Sequence, residues 1–136
     1  MLFPFLIDHI DDQFSFEKSF ILSSILTIFF GCLFLCTFFD KYSKLSIREM
    51  YLTTTIVWLV VCFFAALPFY FSPLNLSFTD AFFESMSGLT TMGASIFQNF
   101  EELSRGIILW ISILQWIGGI ATILIFMLIG FSQQQR

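Results

Sequence analysis

Three stretches of this chain are apolar for about the length of a bilayer and almost free of charge. Residues 20–39 form the first, an unbroken run of apolar and small polar side chains that rises about 30 Å as a helix, the thickness of the hydrocarbon layer. Residues 51–71 form the second, bracketed by Tyr51 and Tyr70, whose amphipathic rings suit the two water interfaces. Pro68 falls in its last turn, where a missing N–H costs least, and Ser72, Pro73, Leu74 and Asn75 end it. The third, 106–131, carries no charge and exceeds what hydrocarbon requires, so it is expected to tilt or to project beyond one face. Residues 1–7 are apolar but too short to cross, which leaves an interfacial segment or the tail of a helix. No basic segment precedes them, and Asp8, Asp11 and Asp12 stand where a signal-peptide cleavage site belongs, so no processing is expected.

Residues 72–105 fit neither description. They are too apolar for a solvated loop and too interrupted for a membrane helix, a pattern that predicts a re-entrant segment. Ser77, Phe78, Thr79 and Asp80 match the capping signature that opens a helix, with Asp80 placed favourably against the positive end of the dipole. From there Asp80, Glu84 and Ser87 share one face and Phe78, Ala81, Phe82 and Met86 the other, while Gly88 supplies a stop. The predicted helix, 78–87, is about 15 Å long, half a bilayer. Entering from outside, it points its negative end at the membrane interior and favours a cation there. Thr90, Thr91, Met92, Gly93, Ala94 and Ser95 follow. Non-helical backbone at membrane depth is tolerated only when buried in protein or lining a water-filled cavity, which favours a pore over an ordinary external loop. Gly93 opens dihedrals closed to other residues, and backbone carbonyls so arranged can replace the hydration shell of a potassium ion.

Composition settles the solvent. The 136 residues are 57% hydrophobic and 12% charged, about half the charge of a typical soluble domain, with 21 Phe and a mean hydropathy of +0.88. So small a globule cannot hide these side chains from water, and lipid is the expected surrounding. A formal charge of −4 argues against a nucleic-acid partner. Lys41, Lys44, Arg48 and Arg136 outnumber Lys18 and Arg105, which predicts that 40–50 is cytoplasmic and the acidic stretches 8–17 and 80–102 external. Cys32, Cys36 and Cys62 lie in apolar runs without a CxxC pair and read as small buried thiols, not metal ligands. His9 has no partner in sequence, Glu101 and Glu102 read as solvated, and Trp58, Trp110 and Trp116 as packing or interface residues. Gly118 and Gly119 suit close approach of the third span to the loop. Glu84 stays open between a bond to filter backbone or attraction of cations and a plain interfacial carboxylate. No nucleophile–base set, phosphate loop or HExxH motif is present, so neither an enzyme nor a cofactor is expected beyond a transported ion.

Four segments carry a family resemblance: Ala66-Leu67-Pro68-Phe69, Thr79-Asp80-Ala81-Phe82-Phe83-Glu84-Ser85, Ser87-Gly88-Leu89-Thr90-Thr91-Met92-Gly93-Ala94 and Leu114-Gln115-Trp116-Ile117-Gly118-Gly119. Along them the chain resembles the Trk/Ktr/HKT superfamily of potassium transporters, and within it the bacterial TrkH-type membrane subunit. The resemblance implies an all-α membrane protein of the bacterial inner membrane, with 1–50 as an N-terminal helical region and 51–131 as the first of four helix, pore loop, helix repeats around one potassium path. It makes Thr90, Thr91, Met92, Gly93 and Ala94 the filter strand, binding K+ through backbone carbonyls, with Asp80, Glu84 and Ser87 supporting the pore helix. Met92 stands where the family's first repeat usually has a third Thr. Three of four filter strands and a later gating loop are absent, so the remaining repeats, or other copies in a homotetrameric channel, are implied partners unless the chain is a non-functional fragment. The family also docks a cytoplasmic nucleotide-binding regulatory subunit, to which the chain offers one short basic loop.

Overall fold

The computed structural model describes residues 1–10, 14–38, 47–100 and 103–134. They form α1 (Leu2–Ile10), α2 (Phe14–Phe38), α3 (Ile47–Tyr70), α4 (Phe78–Leu89) and α5 (Arg105–Gln134), with no strand among the described residues. Three helices are long and apolar enough to cross a membrane, over Phe16–Cys36, Tyr51–Tyr70 and Arg105–Met127. The apolar run alone sets these spans. Their helices run past the hydrocarbon-length core where polar residues suit a helix end, as Glu17 does in the first turn of α2. The basic loop that sets the expected orientation lies largely outside the described residues, as do Asp11, Asp12, Glu101, Glu102 and Arg136.

Short α4 sits between α3 and α5 and packs on both, while α1 packs on α2 and on α5, and α2 on α3. The long helices α3 and α5 barely touch each other. A cleft of about 410 Å³ lies between them, lined by residues that include Val57, Trp58, Leu89, Ile117, Ala121 and Ile125. The core is small and gathers around α4: Phe20, Ala66, Phe69, Ala81, Ile107 and Leu114 are buried there. Phe20 of α2 meets Trp110 edge to face at 6.3 Å, and Trp110 Nε1 donates to the Ala65 carbonyl at 3.1 Å, so this tryptophan joins α5 to α2 with its ring and to α3 with its N–H. Elsewhere the apolar side chains turn outward, Phe34 and Phe126 among them, as lipid or protein neighbours allow.

The structure refines three expectations. Residues 2–7 are helical: they begin α1, which docks on the bundle with Pro4 fully buried in its first turn, where no N–H is required. Asp8, read only as part of the acidic stretch 8–17, is fully buried. Of the three thiols only Cys62 is buried, while Cys32 and Cys36 are exposed on the outward face of α2, where a thiol serves as a small apolar group. His9 also has company, its Nδ1 standing 3.4 Å from Glu17 Oε1 and its ring stacked on Phe5 at 6.0 Å.

Candidate functional site

The site is built from α4 and the segment that follows it. At the start of α4, Ser77 is the N-cap in extended conformation; its Oγ accepts from Asp80 N at 3.2 Å and donates to Asp80 Oδ2 at 2.7 Å. Asp, one methylene shorter than the Glu common at this position, thus takes the hydroxyl of the capping residue. The helix then turns its polar side inward. Glu84, Ser85 and Ser87 are buried while Phe78 and Phe83 are exposed, the inverse of a soluble amphipathic helix. Ser85 Oγ donates at 2.9 Å to the Cys62 carbonyl, tying α4 to α3.

Gly88 does not stop the helix. It is helical and buried, and a Cβ there would stand 3.1 Å from Leu114 Cβ, so its function is close packing on α5. Leu89 ends the helix and Thr90 caps it, with Thr90 N donating to Met86 O, Thr91 N to Gly88 O and Met92 N to Ser87 O at 2.9, 3.0 and 3.0 Å. The last two bonds define a Schellman ending, whose left-handed position falls on Thr91 at φ 56°. A β-branched residue in that region is strained by roughly 1 to 3 kcal/mol. Gly93 is left-handed too, at φ 73°, with nothing within 4 Å of where a Cβ would stand.

The chain then returns along α4. Ser87 Oγ donates to the Ala94 carbonyl at 2.5 Å, and Glu84 Oε1 accepts from Ser95 Oγ at 2.8 Å and from Ile96 N. Glu84 is 2% exposed, whereas Thr90 through Ser95 are exposed throughout, Met92 at 73%. Glu84 and Ser87 are therefore brought against 94–96, Asp80 stays at the far end of α4, and 90–94 form irregular backbone open on one side. Gly118 lets α5 reach this turn, because a Cβ there would fall on the Leu89 carbonyl.

One part of the arrangement escaped the sequence reading. Ser104 is the N-cap of α5: its Oγ accepts from Ile107 N at 3.2 Å and donates to Asp8 Oδ2 at 3.3 Å, while Asp8 Oδ1 accepts from Gly106 N at 2.8 Å. A serine just before a long apolar run was a legible helix start. No local signal pointed to Asp8 as its partner.

Comparison with known proteins agrees with this architecture. A family model described as TrkH, cation transport protein, matches residues 16–131. The Trk system potassium uptake protein TrkI of Halomonas elongata is 44% identical over 75 residues, which is 55% of this chain and 15% of that protein. The corresponding TrkH of Escherichia coli K12 is 43% identical over 83 residues, 60% of this chain and 17% of that one, and TrkH of Vibrio parahaemolyticus 38% over 106 residues, 74% and 22%. The chain thus spans 15% to 22% of the length of these relatives. No solved structure matches it. A family match covering most of the chain, together with three helices fit to cross a bilayer, makes this a membrane protein of the TrkH family of cation transporters.

Proposed function

We propose that the chain conducts potassium across the bacterial inner membrane as part of a Trk-type uptake system, and that 90–94 is one strand of its selectivity filter. The observation that carries this reading is the pair of straps from α4: Glu84 and Ser87 hold the backbone at 94–96, the Ala94 carbonyl included, and leave 90–93 uncovered on the side away from the helix. Left-handed Thr91 and Gly93 on either side of Met92 give the alternation of backbone hand that a strand needs for its carbonyls to share a side. Such carbonyls substitute for the ion's water. The negative end of α4 lies next to them and adds favourable potential for a cation. Asp80 acts at a distance, by fixing the start of the same helix.

One strand cannot surround an ion, so further repeats supply the other three, and the names of the matched relatives, potassium uptake proteins, agree with that cargo. The protein moves an ion and transforms no substrate. Its surroundings are lipid and the neighbouring repeats, with the 40–50 loop cytoplasmic and 72–105 external. A cytoplasmic nucleotide-binding regulator is expected to bind this chain alone weakly, because the basic loop is short.

Gly93 tests the reading. A Cβ at φ 73° meets no atom but strains the backbone by about 1 to 2 kcal/mol, a cost that falls on adjacent carbonyls and not on the core. In potassium-uptake-deficient cells, with the chain fused to the remainder of a Trk relative so that the pore is complete, Gly93→Ser is expected to lower potassium over sodium preference more than it lowers expression, and Met92→Thr to leave preference intact. Undiminished preference in a well-expressed Gly93→Ser protein removes this segment from the filter.

A further inference from the structure

Two buried carboxylates hold the limb that leads from the filter segment back into α5, one at each end. Glu84 holds its beginning, at Ser95 and Ile96, and Asp8 its end, at Ser104 and Gly106. Asp8 comes from α1, outside residues 16–131 that match the family. We propose that Asp8 is a positioning residue for the cation path: by fixing where α5 begins, it sets how far the returning limb can move from α4. The inference rests on the transport reading above.

Three observations support it. Ser104 already caps Ile107 N locally, so α5 has a start of its own, and what Asp8 adds is a fixed place for it. The Ser104 hydroxyl is used in both directions, accepting from Ile107 N and donating to Asp8, which leaves its rotamer no freedom. Gly106 is required for the approach, because a Cβ there would fall among the carboxylate atoms of Asp8. Asp8 is 0% exposed and Ser104 6%, so water does not replace the bond when the carboxylate is removed, and the buried Gly106 N–H is left unpaired.

The test uses the full chain in lipid nanodiscs, with amide exchange read by mass spectrometry for Asp8→Ala, Asp8→Asn and Ser104→Ala. Asp8→Ala is expected to speed exchange over 96–107 about tenfold while amides of α3 and α4 change less than about twofold. Asp8→Asn keeps an acceptor for Gly106 N and should stay within about threefold of the parent, and Ser104→Ala, which takes one donor from Asp8 but leaves its bond from Gly106 N, should fall between the two. In the pore-complete cells described above, Asp8→Ala should lower potassium over sodium preference and Asp8→Asn restore it. Unchanged exchange over 96–107, or a rise spread evenly through α2, α3 and α4, overturns the proposal, and so does selectivity that is unaltered once the limb has loosened. A parent protein without potassium preference counts against the transport reading instead, and the exchange pattern still decides whether Asp8 holds the limb.

Discussion

The starts of α4 and α5 solve the same problem with the same first residue and different second ones. At each, a serine hydroxyl accepts the N–H three residues on, Asp80 N at Ser77 and Ile107 N at Ser104. At each, a carboxylate then accepts that serine's hydroxyl proton. For α4 the carboxylate is Asp80, three residues along and partly exposed; for α5 it is Asp8, from another helix and fully buried. The first is local structure, formed wherever those four residues meet. The second is tertiary structure, formed only when α1 has docked. Water competes for the exposed cap and not for the buried one, so equal hydrogen bonds carry unequal weight.

The comparison can be broken most sharply at Gly106. Gly106→Ala drives a methyl group into Asp8 and parts it from both partners, and is expected to destabilise the chain by about 3 kcal/mol in a denaturation series in mixed micelles. A loss under about 1 kcal/mol shows that the buried start tolerates rearrangement as an exposed one does. At the other helix, Ser77→Ala should cost about 1 kcal/mol in the same series, since water takes up the freed Asp80 N–H. Smallest of all is Asp80→Asn, worth a few tenths of a kcal/mol and fading in high salt, because it removes only a partly exposed charge from the helix dipole. Should Asp80→Asn prove as costly as Gly106→Ala, the local cap is not local.

The same division explains what was legible in the sequence. The apolar runs 20–39, 51–71 and 106–131 fall on α2, α3 and α5, except residue 39, which lies outside the described residues, and Phe71, just past α3, because crossing hydrocarbon depends on the length and polarity of one segment, a property readable without knowing its neighbours. Ser77 and Asp80 were legible for a like reason. The other end of α4 was not. Gly88 has the look of a stop, but α5 stands against it and needs the missing side chain, so the helix continues and leaves the left-handed turn to Thr91. Glu84 could be placed on one face of α4, but that it accepts from Ser95 and Ile96 depends on 95–96 folding back onto the helix, which no local signal shows. Asp8 is the extreme case, 98 residues from Gly106, and its neighbours in sequence suggested only an acidic surface.

Helix α5 is held from Gly106, against Asp8, to Gly118, against the Leu89 carbonyl, about 18 Å along its axis. Past Gly118 it continues for about 24 Å to Gln134, with Ile123, Leu124, Phe126 and Met127 exposed and the cleft between it and Trp58. In mechanical terms it is a cantilever, clamped over the part that borders the 89–91 turn, with most described side chains past it exposed. Thr122 Oγ1 bonds back to the Gly118 carbonyl at 2.8 Å, an arrangement that tends to bend helices, and it does so at the edge of the clamp, where a load on the free arm exerts its largest moment. A bend of about 10° there swings the far end by about 4 Å and leaves the clamped end in place. Whatever packs against the free arm can therefore set its angle without disturbing the loop that α5 helps to hold.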